Sequence, residues 1–292
     1  MSTRNNNPAL SIEPPPGPAD REFAPLLSEP FARVWEQPVA DAVGAQAVRG
    51  RLLERVAASH AAEAVMFTAR RHRLPDAVLA EGVVARSLYE ARAGQALRPG
   101  EPLRARLVEL APGARLQPEM LGPEAQSRLR HREWLVLAGS VQLDGELLSQ
   151  RDYHATPAGH ATPSWTAGDD GAWLFVRESG QAARPGDEPY TVRDAEAGWP
   201  AFAPGIQRRV LWQRDGQAAL LYYAQPGAQV PRHTHGHDEE CLMLQGELFL
   251  DDLLLRPGDY QLAPAGTGHR ITQTDTGVVI YAHGDLDLKF VA

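Results

Sequence analysis

The chain has 292 residues, a formal net charge of −8 and one cysteine. The acidic balance excludes a general nucleic-acid-binding face, which needs basic charge, and no apolar run approaches the roughly 20 residues that span a bilayer. One cysteine excludes an intrachain disulfide, and the start "MSTRNNNPALSIEPPPGPAD" has no apolar segment after its arginine, so no secretory signal is predicted and the cytoplasm is the expected location.

Residues 1–28 are rich in Asn, Pro and Ser. They carry too little apolar surface to offset the entropy of ordering, which predicts a disordered or extended tail. Residues 29–79 are expected to form a helical segment. Within it Val39, Val43, Val48, Leu52 and Val56 recur near helical spacing, and Pro38 suits a first helical turn. Such a stripe ordinarily packs within its own chain; docking on a partner protein is the sharper reading.

From about residue 80 the texture changes to short apolar runs split by Gly, Pro and Asp: "ARLVELAPG", "EWLVLAGSVQLDG", "AWLFVRE", "AALLYYAQPG", "ECLMLQGELFLDD", "GVVIYAHGD". These read as the strands and turns of an all-β sandwich or barrel. The texture also repeats. "GVVARSLYE" from Gly82 matches "GIQRRVLWQ" from Gly205, and residues 133–160 match 240–267 without a gap. In that block Gly139 falls on Gly246, Asp152–Tyr153 on Asp259–Tyr260, and Pro157–Gly159 on Pro264–Gly266. Two copies of one β-domain are therefore expected, at 80–195 and 196–292.

The second copy carries a patterned set of chemical residues. Gly227, His233, His235, Glu239 and Gly246 are spaced G-x5-H-x-H-x3-E-x6-G, and Gly258, Pro264, Gly266 and His269 are spaced G-x5-P-x-G-x2-H. Both spacings resemble, at every defined position, the two motifs of the cupin superfamily. The resemblance implies a mainly β fold: two tandem cupin domains, each a double-stranded β-helix or jelly roll, preceded by a short helical segment.

The chemistry of the residues agrees. Alternate strand residues face one side, so His233 and His235 can point into the barrel together. Glu239 lies one short loop on, and His269 arrives on another strand after a Pro-x-Gly turn. Three imidazoles and one carboxylate suit a divalent transition metal: zinc, iron, manganese, nickel or copper. Without a metal, burying Glu239 among histidines would be costly. His237 fits neither spacing and reads as a loop residue facing solvent. Glu240 points away from Glu239's side and is expected beside the site or on the surface. Cys241 shares Glu239's parity; it is either a thiol near the metal or, as is usual, a small buried hydrophobe. Gln273, Tyr223, Tyr281 and His283 are pocket candidates, with ordinary core or rim packing the better expectation for Tyr223, Tyr281 and His283.

The first copy fails the same test. Arg132 falls where the second copy has Glu239, Thr162 where it has His269, and Glu119 and Leu121 where it has the histidine pair. His131, His154 and His160 stand off the pattern. An arginine there repels a cation, so this copy is expected to keep the fold without the metal. An anion pocket built on Arg128, Arg130 or Arg132 is the alternative use.

The stretch "HTHGHDEECLMLQGELFLDDLLLRPGDYQLAPAGTGH" is similar, more narrowly, to the cupin domain of ChrR-type anti-sigma factors. That resemblance implies a zinc-binding regulatory protein that responds to oxidative stress, with His233, His235, Glu239 and His269 as ligands. It leaves the sigma factor doubtful as a partner, because the family's His-x3-Cys-x2-Cys sigma-binding motif is absent and Cys241 is the sole cysteine. The expectation is thus a cytoplasmic metal-binding bicupin, regulatory or stress-sensing, with a protein partner or a small-molecule ligand and in homodimeric form. The alternative is a dioxygenase-like metal enzyme with an open coordination position.

Overall fold

A computed structural model describes residues 42–95, 97–122 and 128–291. The predicted tail and the first residues of the predicted helix lie outside them. Helix α1 is Ala42–Val65, and the side chains of Val48, Leu52, Leu53 and Val56 on it are exposed. Here the expectation for 29–79 needs correcting. The helix stops at Val65, and strands β1 (Phe67–Ala69) and β2 (Ala77–Ala80) follow. The physical reason is local: Phe67 and Thr68 prefer extended backbone, and Pro75 cannot continue a helix.

Residues 58–292 form one compact unit. Its first copy contains β3 (Val83–Glu90), β4 (Pro102–Leu110), β5 (Arg115–Leu116), β6 (His131–Leu143), β7 (Glu146–Ser149), β8 (Tyr153–Thr156), β9 (Trp165–Ser179) and β10 (Tyr190–Val192). A one-turn helix α2 (Asp194–Ala197) leads to β11 (Ala201–Ala203), β12 (Ile206–Arg214), β13 (Gln217–Ala224), β14 (Gln229–Val230), β15 (His233–Thr234) and β16 (Glu239–Gly246). The chain closes through β17 (Leu248–Leu250), β18 (Leu253–Leu255), β19 (Tyr260–Ala263), β20 (Gly268–His269), β21 (Thr272–Gln273), β22 (Val278–Asp285) and β23 (Lys289–Phe290).

The repeat seen in the sequence is a repeat in topology. One sheet runs β8-β6-β9-β4-β3 and the other β19-β16-β22-β13-β12, the same order of equivalent strands, with short strands added at each edge. β1 crosses from the start of the unit to pair with β19 of the second copy, Phe67 opposite Leu262. The matched glycines have one job. Gly139 and Gly246 adopt φ of 70° and 74°, and a Cβ on either would run into the carbonyl of Gly171 or Gly277 on the neighbouring strand. Only glycine permits both the turn and the close approach.

Strand alternation divides the core in three. Trp134 and Val136 of β6 point into the first barrel with Trp165, Leu116 and Leu121. Cys241 and Met243 of β16 point into the second with Ile206, Leu248 and Val278. The opposite faces, with Leu135, Phe175 and Tyr153 from one copy and Leu242, Tyr260 and Tyr281 from the other, meet between the copies. No helix among the described residues is long and apolar enough to cross a membrane.

Candidate metal centre

β15 and β20 pair with His233 directly opposite His269. Glu239 opens β16 in the large sheet. The loop between β15 and β16 carries His235 back over them. One ligand atom each from His233, His235 and Glu239 lies within 4.8 Å of the others. The His269 ring stands 5.0 Å from that of His235 and 5.7 Å from that of His233, centre to centre, and its Nε2 is 3.7 Å from Glu239 Oε2. All three imidazoles are buried.

The outer ring nitrogens are held from behind. His233 Nδ1 is 3.0 Å from the Pro231 carbonyl, which requires it to carry the proton and leaves Nε2 as a lone-pair donor. His269 Nδ1 faces Asp251 Oδ2 at 3.4 Å. Asp251 also accepts the backbone N–H groups of Arg270 and Ile271 at 2.8 and 3.2 Å. Burial pushes the Asp251 carboxyl up, but the His269 ring and those N–H groups outweigh it and hold the pKa down. A carboxylate behind a ligating histidine fixes the ring and raises its basicity.

His235 Nε2 is buried and lies 2.7 Å from Glu239 Oε2, close enough for the two to pair when the ring is protonated. Three buried imidazoles converging on one carboxylate are the donor set of a divalent transition metal, so the residues fit a metal. Electrostatics agree. Burial alone would raise the Glu239 pKa, yet His235, His269 and His233 pull it down to about 2. Burial lowers His233. His235 feels the same burial but is raised by Glu239. The carboxylate is therefore ready as an anionic ligand at neutral pH.

A cavity opens onto this cluster. His233, Glu239 and His269 form its floor, and Cys241 and Gln273 line it. Burial pushes the Cys241 thiol strongly up, Glu239 adding to it, so it stays a thiol and packs as a small hydrophobe. Tyr223 and Tyr281 are not in the cavity, which corrects their place among the pocket candidates. On β13 the residue facing inward is Tyr222, opposite Ile280. Tyr223 has the other parity and packs against Trp199 at 6.1 Å. Tyr281, likewise on the far face of β22, donates its hydroxyl to Glu133 Oε2 at 2.9 Å. His237 is not at the cluster: its Nδ1 meets Asp285 Oδ1 at 2.5 Å.

Glu240 is neither at the surface nor beside the metal cluster, as had been expected. It is fully buried between the copies, with Oε2 2.5 Å from Arg177 Nε and Oε1 accepting the Tyr260 hydroxyl at 2.6 Å. Asp251 and Tyr222 were missed from sequence as well. Asp251 had a legible signal, the turn after "LFL"; Tyr222 needed the strand's register.

Among the described residues, the interior of the first copy is occupied by side chains. Trp134 and Trp165 fill its interior with ring centres 5.0 Å apart, and His154 packs edge-on to Trp165 at 5.7 Å. Arg132, in the place of Glu239, is fully buried and donates to Glu178 Oε1 at 2.9 Å. It is committed to an internal ion pair, which removes it from any anion pocket. Among the described residues, the one His/Glu group with metal-site geometry lies in the second copy.

Residues 187–287 match the ChrR cupin-like domain family. No curated protein sequence matches the chain. Among solved structures, a candidate dioxygenase from Nostoc punctiforme has a TM-score of 0.59 at 17% identity, covering 78% of this chain and 85% of its own. Bacillus subtilis oxalate decarboxylase, described for its Mn(II) centres, has 0.53 at 16%, covering 75% and 76%. YlbA from E. coli has 0.58 at 15%, covering 75% and 90%. At these identities the likeness is one of fold. With its repeated sheets, the chain has the fold of a bicupin, and its second copy matches the ChrR cupin-like domain family over residues 187–287.

Proposed function

We propose that this chain is a cytoplasmic, stress-sensing regulatory protein of ChrR-like type, built around one divalent metal, preferentially zinc, held by His233, His235, Glu239 and His269. The observation that carries the metal is the convergence of one ligand atom each from His233, His235 and Glu239 within 4.8 Å, with His269 Nε2 3.7 Å from the same Glu239 oxygen. The donor set supplies three neutral nitrogens and one carboxylate, a set that accepts zinc readily.

The regulatory reading draws support from what lies behind the ligands. Arg270, next to His269, donates to Ser59 Oγ at 3.2 Å and to Asp252 at 3.1 Å. Ser59 also donates to Asp252, the neighbour of Asp251. The end of α1 is thus tied to the hairpin and strand that orient His269. Separately, Val48, Leu52, Leu53 and Val56 of α1 are exposed and suit a protein partner. A sigma factor as that partner lacks its usual cysteine-containing module here. The second reading, a dioxygenase-like metal enzyme, is favoured by one feature: the cavity gives a small molecule access to the metal position.

Metal content of tag-free protein by mass spectrometry, beside His233→Ala, tests this. About one zinc per chain, lost in the variant, supports the regulatory site. Iron or manganese together with oxygen uptake moves the function to the enzyme. Protein without metal in either form overturns the site.

A further inference from the structure

The cavity over the metal cluster has a one-sided chemistry. Phe202, Val230, Leu248, Leu250, Ile280 and Leu288 make its walls. Among the described residues lining it there is no Arg or Lys. Arg208, behind Phe202, is committed elsewhere. Its guanidinium lies on the Phe202 ring 4.2 Å from the centre, Nη1 donates to the Leu286 carbonyl at 2.6 Å with Asp287 3.8 Å away, and it also donates to the Tyr222 hydroxyl. Besides the metal cluster and Cys241, the polar residues in the lining are Tyr222, Gln229, Thr272, Gln273 and Thr274, the last donating its hydroxyl to the Glu247 carbonyl at 2.6 Å.

Charge then sets what can enter. Three neutral imidazoles, one carboxylate and a divalent ion leave a single positive charge at the floor. One anionic donor atom neutralises it. A second negative charge would lie against aliphatic walls, where the one nearby cation, Arg208, is already engaged by Tyr222, the Leu286 carbonyl and Asp287 behind the wall, an arrangement that desolvation penalises. The cavity measures about 70 Å³ to the centres of water-sized groups, room for about five to seven of them.

We propose that this site, if it holds the metal as read above, selects a small molecule with one metal-binding oxygen or sulfur atom and an uncharged apolar body, and rejects dicarboxylates and other doubly charged ligands. The selectivity comes from the walls and not from the metal, so the likeness in fold to an oxalate-processing enzyme does not extend to this pocket's chemistry.

The test uses the full chain loaded with Co(II), whose thiolate charge-transfer band reports ligation. 1-Butanethiol and 3-mercaptopropionate present the same donor on bodies of similar length, one apolar and one charged. Butanethiol is expected to bind at least about tenfold more tightly. Gln273→Arg, at the half-exposed rim, should bring the two within about threefold, and Gln229→Arg on the paired strand serves if that variant folds poorly. Cobalt uptake with equal or reversed preference overturns the proposal and leaves the metal site standing, as does an unchanged ratio in both arginine variants. Failure to take up cobalt overturns both.

Discussion

Arg177 of the first copy and Glu240 of the second meet in the closed space between the two sheets, Nε to Oε2 at 2.5 Å, with neither side chain reaching solvent. The same guanidinium donates from Nη1 to Glu133 Oε1 at 2.8 Å and from Nη2 to the Gly100 carbonyl at 2.5 Å. Glu133 and Glu240 occupy equivalent positions of the repeat, and each also accepts from its own equivalent tyrosine, Tyr153 and Tyr260, at 2.8 and 2.6 Å. One arginine thus bridges two symmetry-like carboxylates in an otherwise apolar interface.

Removing that cation leaves two buried carboxylates uncompensated. Arg177→Met is expected to cost about 3–5 kcal/mol. Adding Glu240→Gln to it should recover part of the loss, because one orphaned charge disappears. Urea denaturation of the two variants and the parent measures both steps; an Arg177→Met loss under about 1 kcal/mol would show that the network is hydrated and unimportant.

Two histidines flank this network, and they make stability fall with acid. His131 and His283 lie either side of Trp212, ring centres 5.3 and 5.4 Å from it. Burial lowers His131 to about 4, Glu133 opposing it. Burial, with Arg177 adding, lowers His283 to about 3. Their unfolded values are near 6.5, so below that pH the unfolded chain takes up protons that the folded chain refuses. Glu133, held at about 2 because Arg177 and the two histidines outweigh its burial, adds loss in the same direction below about pH 4.5. Stability is therefore full above about pH 6.5 and falls as pH drops toward 4, by on the order of 1 kcal/mol per pH unit for each histidine. Denaturation midpoints of chelator-treated protein across that range should show the slope. His283→Phe should flatten it, and an unchanged slope would remove His283 from the account.

Much of this was legible before any coordinates. The gapless match of 133–160 with 240–267 carried the repeat, and its conserved glycines marked a turn that only glycine can make. The spacing of His233, His235, Glu239 and His269 carried the cluster, because strand parity and two turns suffice to bring them together. Glu240 shows where such reasoning stops. Parity correctly turned it away from Glu239, but parity does not say what covers the opposite face. That face is closed by the other copy, a long-range contact with no local signature. Tyr281, for which core packing was the better expectation, lies on that same covered face. The recurrence of a glutamate in two apolar strands, "EWLVL" and "ECLML", was the available hint that a buried cation waits across the interface.

Asp251 orients His269 while sitting at a hairpin tip with φ of 55°, a conformation Asn accepts as readily as Asp. Asp251→Asn can keep its contacts to the backbone N–H groups of Arg270 and Ile271 and loses the charge facing His269 together with the partly exposed ion pair to Arg270 Nε at 3.4 Å. The expected result is about 10–100-fold weaker binding of a divalent metal with the metal-free denaturation midpoint nearly unchanged. Competition against a chromophoric chelator measures the first and urea titration the second. Equal affinity would show that His269 needs no carboxylate behind it.

Restoring the missing carboxylate in the first copy should not restore a metal site. Arg132→Glu puts a second carboxylate against Glu178, whose other oxygen is reached only by Arg104 at 3.3 Å. The buried pair changes from attraction to repulsion, and about 3–5 kcal/mol of stability should be lost. The space a metal would need is taken by Trp134 and Trp165, so metal content should stay at the parent's value. Trp165→Ala alone would cost about 3–5 kcal/mol as a cavity and also bind nothing, since Leu121 stands where the second copy has a histidine. A second equivalent of zinc in Arg132→Glu protein would mean that the interior of the first barrel repacks far more easily than its close-packed indoles imply.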